Sequence, residues 1–231
     1  MYYQFIENDV ITCLSCKNSA NTKLGKSKLI ATYHFSIDQI LSIDLKQDAK
    51  NCLDCPFSYS SGDGKCYTHK GTQYFGLIAM MKRLRKVLLK GEILPFDQTS
   101  FEKFVNRTQS KRVKRKPTFL RMGAYGEPIF LPLSVIKTLT AVVNNNYTGY
   151  TQQWGKKYED YKTYLMASCH NSFEYNIAKS LNWRTFFVDG TDGINCPASD
   201  EAGKRTTCDV CALCSGTNGK GKTDIFIKNH F

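Results

Sequence analysis

No apolar run in the 231-residue chain reaches 18 residues, so no membrane-spanning helix is expected. The opening stretch, Met1-Tyr-Tyr-Gln-Phe-Ile-Glu-Asn-Asp, lacks the basic region and apolar core of a secretory signal. The expected setting is therefore cytoplasmic, where thiols stay reduced and tend to bind metal. Acidic residues are short in number: 20 Asp and Glu face 32 Lys and Arg, for a formal net charge of +12. Two zinc sites of four thiolates would each carry about −2 and leave roughly +8. That balance favours a polyanionic partner, nucleic acid first, with solubility alone as the plainer explanation. No sequence repeat is present. A hydrophobic content of 42% and an aromatic content of 13% argue against disorder. The length suffices for one large domain or two small ones.

What the chain does have is cysteine, ten in all. Four fall in residues 196–214, as Cys196-Pro-Ala-Ser followed by Cys208-Asp-Val-Cys211-Ala-Leu-Cys214. Thiolates two or three residues apart can wrap one tetrahedral ion, so a shared metal is the leading reading. A disulfide knot and unpaired core thiols are the alternatives. A second group is Cys13, Cys16, Cys52, Cys55 and Cys66, and His230 is a possible substitute ligand for the first. Two metal sites fit best, with one mixed site as another option. Zinc is the expected metal, and an iron–sulfur cluster on the same thiolates is the alternative. The spacing C-x3-C-x2-C of radical enzymes is absent.

Periodicity supplies the elements. Residues 29–35 read as a strand. Residues 73–90 read as the clearest helix, with Leu77, Met81, Leu84 and Leu88 on one face and Lys82, Arg83, Arg85 and Lys86 on the other, ended by Gly91. From Pro117 onward strands and helices alternate. Strands are expected at 118–123, 147–153, 165–168, 183–188 and 224–228, and helices at 134–144, 156–164 and from Ser172 as N-cap to Leu181. This alternation indicates βα units and parallel pairing. The expected fold is α/β, a partial or shortened parallel β/α barrel-like fold with Cys-rich metal-binding loops at both ends. An open parallel sheet is the second choice. Residues 1–116 would form a Cys-rich part with one amphipathic helix, and residues 117–231 the βα units, in one compact domain with the first part.

In such a fold, chemistry gathers at the C-terminal strand ends. Those ends present Glu127 in Gly-Glu-Pro, the polar and aromatic group Tyr150, Gln152, Gln153 and Trp154, the adjacent Cys169 and His170, and Asp189 with Asp192. Glu127, Asp189 and Asp192 are the candidate catalytic acids, provided their pKa values are moved apart. Glu127 has a plainer reading as a solvated turn residue. Arg121, Tyr125, Tyr150, Gln152 and Trp154 are candidate substrate contacts, or ordinary core aromatics and polar edges. Lys111, Arg112, Lys114, Arg115 and Lys116 form a basic run suited to phosphates, or simply a solvated loop.

The ordered motifs Cys52-Leu-Asp-Cys-Pro, Gly64-Lys-Cys-Tyr, Leu120-Arg-Met-Gly-Ala-Tyr-Gly-Glu-Pro, Gly149-Tyr-Thr-Gln-Gln-Trp, Met166-Ala-Ser, Asn182-Trp-Arg-Thr-Phe-Phe-Val, Cys196-Pro-Ala-Ser with its later cysteines, and Asp224-Ile-Phe-Ile-Lys-Asn-His resemble a family of uncharacterised bacteriophage proteins. The likeness runs from about residue 50 to the end. It implies a phage origin and a host-cytoplasm location. The family more often has Asp at the position of Glu127, His at that of Gln152, and Gly at that of Phe231. A more distant likeness is to tRNA-guanine transglycosylases, barrel enzymes with a structural zinc and an Asp nucleophile. It implies Asp189 or Asp192 as nucleophile and Glu127 as the group that recognises or deprotonates the purine. The expectation is a phage-encoded metal-binding protein acting on nucleic acid, by deazaguanine-type base exchange or modification of DNA. The alternatives are a non-catalytic zinc-stapled nucleic-acid-binding or host-takeover protein and an iron–sulfur redox or radical-type enzyme.

Overall fold

The computed structural model describes residues 1–18 and 21–228. Its strands are β1 (Tyr2–Glu7), β2 (Val10–Asn18), β3 (Lys28–Ser36), β4 (Phe119–Tyr125), β5 (Tyr147–Thr148), β6 (Tyr150–Thr151), β7 (Met166–Cys169), β8 (Thr185–Val188), β9 (Ile194–Asn195) and β10 (Ile225–Ile227). Its α-helices are α1 (Ile37–Ser42), α2 (Ala49–Cys52), α3 (Gly71–Leu88), α4 (Gln98–Gln109), α5 (Leu133–Val142), α6 (Ser172–Ser180) and α7 (Cys208–Cys211).

β1 and β2 are an antiparallel hairpin that the sequence reading missed. Its turn residues Asn8 and Asp9 have φ of 49° and 61°, the left-handed pair that a two-residue type I′ turn requires. β3 adds antiparallel to β2, and from β3 onward every pairing is parallel. The strands form two five-stranded sheets, β1-β2-β3-β4-β5 and β6-β7-β8-β10-β9. The chain itself links them: β5 pairs with β4, and two residues later β6 pairs with β7. Gly149 stands at the crossing, where a Cβ would come within 2.7 Å of Leu165 Cδ2 and 3.0 Å of Met122 Cβ.

The α/β class with parallel strands is thus as expected. The barrel-like closure is not seen among the described residues, because β1 and β9 are outer strands of an open order. A barrel needs eight crossover units that curl the sheet onto itself. Here the first three strands instead form an antiparallel meander that leaves an edge.

One face of the sheets carries the main core, where Phe101 and Phe104 of α4, Val135, Ile136 and Leu139 of α5 and Ala178 of α6 pack on Leu14, Ile30, Leu120 and Ala167. On the opposite face, α1 and α3 cover the hairpin end: Leu77, Met80, Met81 and Leu84 pack on Ile11, Cys13 and Phe35. The Cys-rich C-terminal loop covers the other end of that face, with Cys196, Cys208, Leu213 and Cys214 against Tyr150, Met166 and Phe186. Residues before and after Pro117 share one core and one sheet, since β3 pairs with β4. The start of α6 departs slightly from expectation. Asn171, rather than Ser172, caps it, and its side chain accepts from Glu174 N–H.

Candidate active site

β4 leads into a tight turn at Gly126, whose φ is +72° and where a Cβ would meet His34 O at 2.6 Å. Only glycine fits there, and the turn places Glu127 inward at 5% exposure. Glu127 N–H donates to Asn51 O at 2.8 Å. Its carboxyl accepts from Thr151 Oγ1 at 2.5 Å and from Gln152 N–H at 3.2 and 3.3 Å. Burial pushes its pKa up to about 7, against the pull of those hydrogen bonds and with a further push from Asp54. Glu127 therefore exchanges a proton near neutral pH, the range suited to general acid–base work.

Gln152 extends the network, its Oε1 lying 3.0 Å from His170 Nε2, which donates. The imidazole stands edge-on to Phe57 with centroids 4.9 Å apart, so the segment carrying Cys52 and Cys55 closes over the strand ends. Burial lowers the His170 pKa, partly offset by Glu174 and Asp189. Beside this network Asn51 Oδ1, Gln153 Nε2 and His170 Nδ1 are buried without a hydrogen-bond partner among the described residues. Buried polar atoms are nearly always paired in folded proteins. These are three of ten such orphaned atoms among the described residues, and they belong to residues that neighbour Glu127 or its hydrogen-bond partners.

The expected acids do not form one cluster. Asp189 directly follows β8, is exposed with φ of 60°, and lies within electrostatic reach of His170. Asp192 is exposed and acts on Tyr175. Neither acts on Glu127 electrostatically, but Asp189 borders the network beside His170.

Among the expected substrate contacts, Gln152 is in the network. Trp154 is next to it, its Nε1–H donating to Ser168 O at 3.0 Å. Tyr125 is a correction: it is a core residue at 2% exposure whose hydroxyl accepts from Gln39 Nε2 at 2.7 Å. Arg121 and Tyr150 form a separate unit on the face beneath the Cys-rich loop. Arg121 Nη2 donates to Tyr150 OH at 2.6 Å, and Tyr150 stacks on Phe186 with centroids 4.7 Å apart. Lys111, Arg112, Lys114, Arg115 and Lys116 are all exposed and precede β4, at the end opposite Glu127.

All ten cysteines are free thiols. Cys196, Cys208, Cys211 and Cys214 are brought together closely enough to influence one another electrostatically, as are Cys52, Cys55 and Cys66. Among the described residues no three Cys, His, Asp or Glu side chains are already arranged as a metal site. Cys13 and Cys16 are a correction. They lie on β2, where residues three apart face opposite sides, and they enter different cores. Cys13 Sγ accepts from Arg83 Nη2 at 3.3 Å, and burial raises its pKa to about 11. The pair cannot chelate one ion. His230 lies outside the described residues.

Sequence reasoning passed over Asn51 and Thr151, whereas Gln153 was expected beside Gln152 as a contact to a base edge. Thr151 had a signal in the polar run beside Gln152, and Asn51 had none. No family model matches the chain, and no curated protein or solved structure was found similar to it.

Proposed function

We propose that the protein is a nucleic-acid-modifying enzyme that exchanges or modifies a purine base at the Glu127 site. The observation that carries this reading is the enclosed Glu127–Thr151–Gln152–His170 network at parallel strand ends, with three buried polar atoms beside it that lack partners. Gln153 Nε2 is a donor, and Asn51 Oδ1 and His170 Nδ1 are acceptors, a set that suits the mixed edge of a nucleobase.

In the exchange form of the reaction, a carboxylate oxygen of Asp189 attacks C1′. The C1′–N bond breaks, and the departing base takes the proton held by Glu127. An incoming deazaguanine then returns a ring N–H proton to Glu127, and its nitrogen displaces Asp189 from C1′. Glu127 ends protonated and Asp189 ionised, as they began.

Zinc belongs to this proposal as a staple. Cys196, Cys208, Cys211 and Cys214 supply four soft donors from one loop, the set that closed tetrahedral zinc sites use. Cys52, Cys55 and Cys66 supply three more beside the Glu127 site. Burial raises the pKa values of Cys208, Cys211 and Cys214, so zinc capture releases protons. An iron–sulfur cluster would use the same thiols, and a brown protein with sulfide would identify it.

The test is nucleoside analysis by mass spectrometry of nucleic acid from cells expressing the protein. A non-standard purine nucleoside is expected with the wild type and is lost with Glu127→Gln or Asp189→Asn. Ordinary nucleosides throughout would sink the enzyme reading. The exposed basic run, away from Glu127, favours a second reading as a zinc-stapled nucleic-acid-binding protein. In that case both variants keep full binding and full biological effect.

A further inference from the structure

Lys26, Ser27 and Lys28 at the start of β3 and the residues just before β4 meet at the N-terminal strand ends. There they form a cleft of about 410 Å³ lined by Lys26, Ser27, Lys28, Arg115, Lys116 and Asp209. It is an open depression rather than an enclosed cavity, a shape suited to a polymer lying across it. Arg115 and Lys116 belong to the basic run, but Lys26 and Lys28 come from far earlier in the chain, and only the fold joins them. Arg115 Nη2 donates to Lys26 O at 3.4 Å, which ties the two segments together.

The single carboxylate there is already engaged. Asp209 accepts from Ser27 N–H at 3.0 Å and from Thr207 Oγ1 at 2.5 Å, so it holds the Cys-rich loop against the strand ends. Among the described residues, none of Lys26, Lys28, Arg115 and Lys116 forms a salt bridge. Four cations against one occupied carboxylate make a concave site that attracts anions.

The lining carries no aromatic ring, so no base can stack inside it as single-strand binders require. The exposed Lys111, Arg112 and Lys114 continue the positive charge outward. An extended anion suits this arrangement better than a compact one. We propose that the cleft is a phosphodiester-binding site that grips the backbone of a nucleic acid, separate from the Glu127 site. The seven residues of β4 lie between the two sites, which sets them about 20 Å apart at ~3.3 Å per residue. Contacts to the backbone there would position the polymer without reading its sequence. The inference rests on the nucleic-acid part of the reading above and is independent of any base chemistry.

The test is a fluorescence-anisotropy titration of the full chain with a labelled single-stranded oligonucleotide at several salt concentrations. Each lost phosphate contact should reduce the log–log salt slope by about 0.7. The double variant Lys28→Gln/Arg115→Gln should therefore lower the slope by about 1.4 and weaken low-salt binding about tenfold. Lys26→Gln/Lys116→Gln serves as a second pair if the first fails to melt cooperatively. Lys82→Gln/Arg85→Gln, on the exposed face of α3, should change neither quantity. The salt slope reads the cleft and the nucleoside analysis reads the Glu127 site, so failure of the base chemistry and failure of the cleft are distinguished. An unchanged slope in the folded cleft variants, or no binding by the wild type, overturns the proposal. So does displacement of the oligonucleotide by equimolar inorganic pyrophosphate, which would assign the cleft to free phosphates.

Discussion

Glu127 combines a site that excludes water with hydrogen bonds that support its charge, and burial wins: its pKa rises from 4.5 to about 7. An acid whose folded-state pKa exceeds its unfolded value binds more protons when folded, between those two values. Its contribution to stability therefore declines as pH rises from about 4.5 to about 7 and is flat above. The full effect is about 3 kcal/mol at most, from ~1.4 kcal/mol per pKa unit. Glu127→Gln removes this titration while leaving His170, Asp54, Cys52 and Cys55 in place. Urea unfolding at pH 5 and pH 8 should show the wild type losing roughly 2–3 kcal/mol relative to the variant. Parallel pH dependence in the two proteins would mean that Glu127 is not enclosed. The turn Gly126-Glu127-Pro128 pointed to this carboxyl in the sequence. Its partners did not show, because Thr151 and the N–H of Gln152 reach it only through the crossing at Gly149.

At the scale of elements, the same C-x-x-C spacing has different meanings on different backbones. In α7 and the turn after it, Cys208, Cys211 and Cys214 are drawn toward Cys196. On β2, Cys13 and Cys16 are driven to opposite faces by the two-residue period of a strand. Elemental analysis should separate the two cases. Cys16→Ala or Cys13→Ser should leave the metal per chain unchanged, whereas Cys208→Ser with Cys214→Ser should remove one site. Equal metal loss from the β2 variants would put them back among the ligands. The β2 strand is legible in principle from the Asn8-Asp9 turn and its apolar flanks, whereas the cysteine spacing alone suggests a metal loop. The long helix α3 was read correctly, because Leu77, Met81 and Leu84 recur at helical spacing and are all buried. Arg83 was placed on its solvated face, yet it covers the Tyr2 ring at 4.0 Å and reaches Cys13.

Across the whole molecule, the sheet is continuous where composition suggests a boundary. β4 takes its neighbour β3 from before Pro117, and the main core joins Phe5, Leu14, Ile30 and Phe101 to Leu120, Val135 and Trp183. A fragment of residues 117–231 would expose β4 as an unpaired edge along with half of that core. Expressed alone it should give no cooperative thermal transition by circular dichroism, while the full chain melts in one. A sharp melt of the fragment would show that the second part holds its own core.

Alternation of strand and helix, the amphipathic face of α3 and the grouping of cysteines in residues 196–214 are local patterns, and the sequence alone determined them. They follow from periodicity and spacing within a few turns of chain. Only the tertiary structure decided that the sheets stay open among the described residues, that Cys13 and Cys16 part company, and that Glu127 meets Thr151 and Gln152, with His170 joined through Gln152. It alone brought Lys26 and Lys28 beside Arg115 and Lys116. Each of these depends on which strands become neighbours, and strand neighbours are set by packing between distant segments, which no local spacing records.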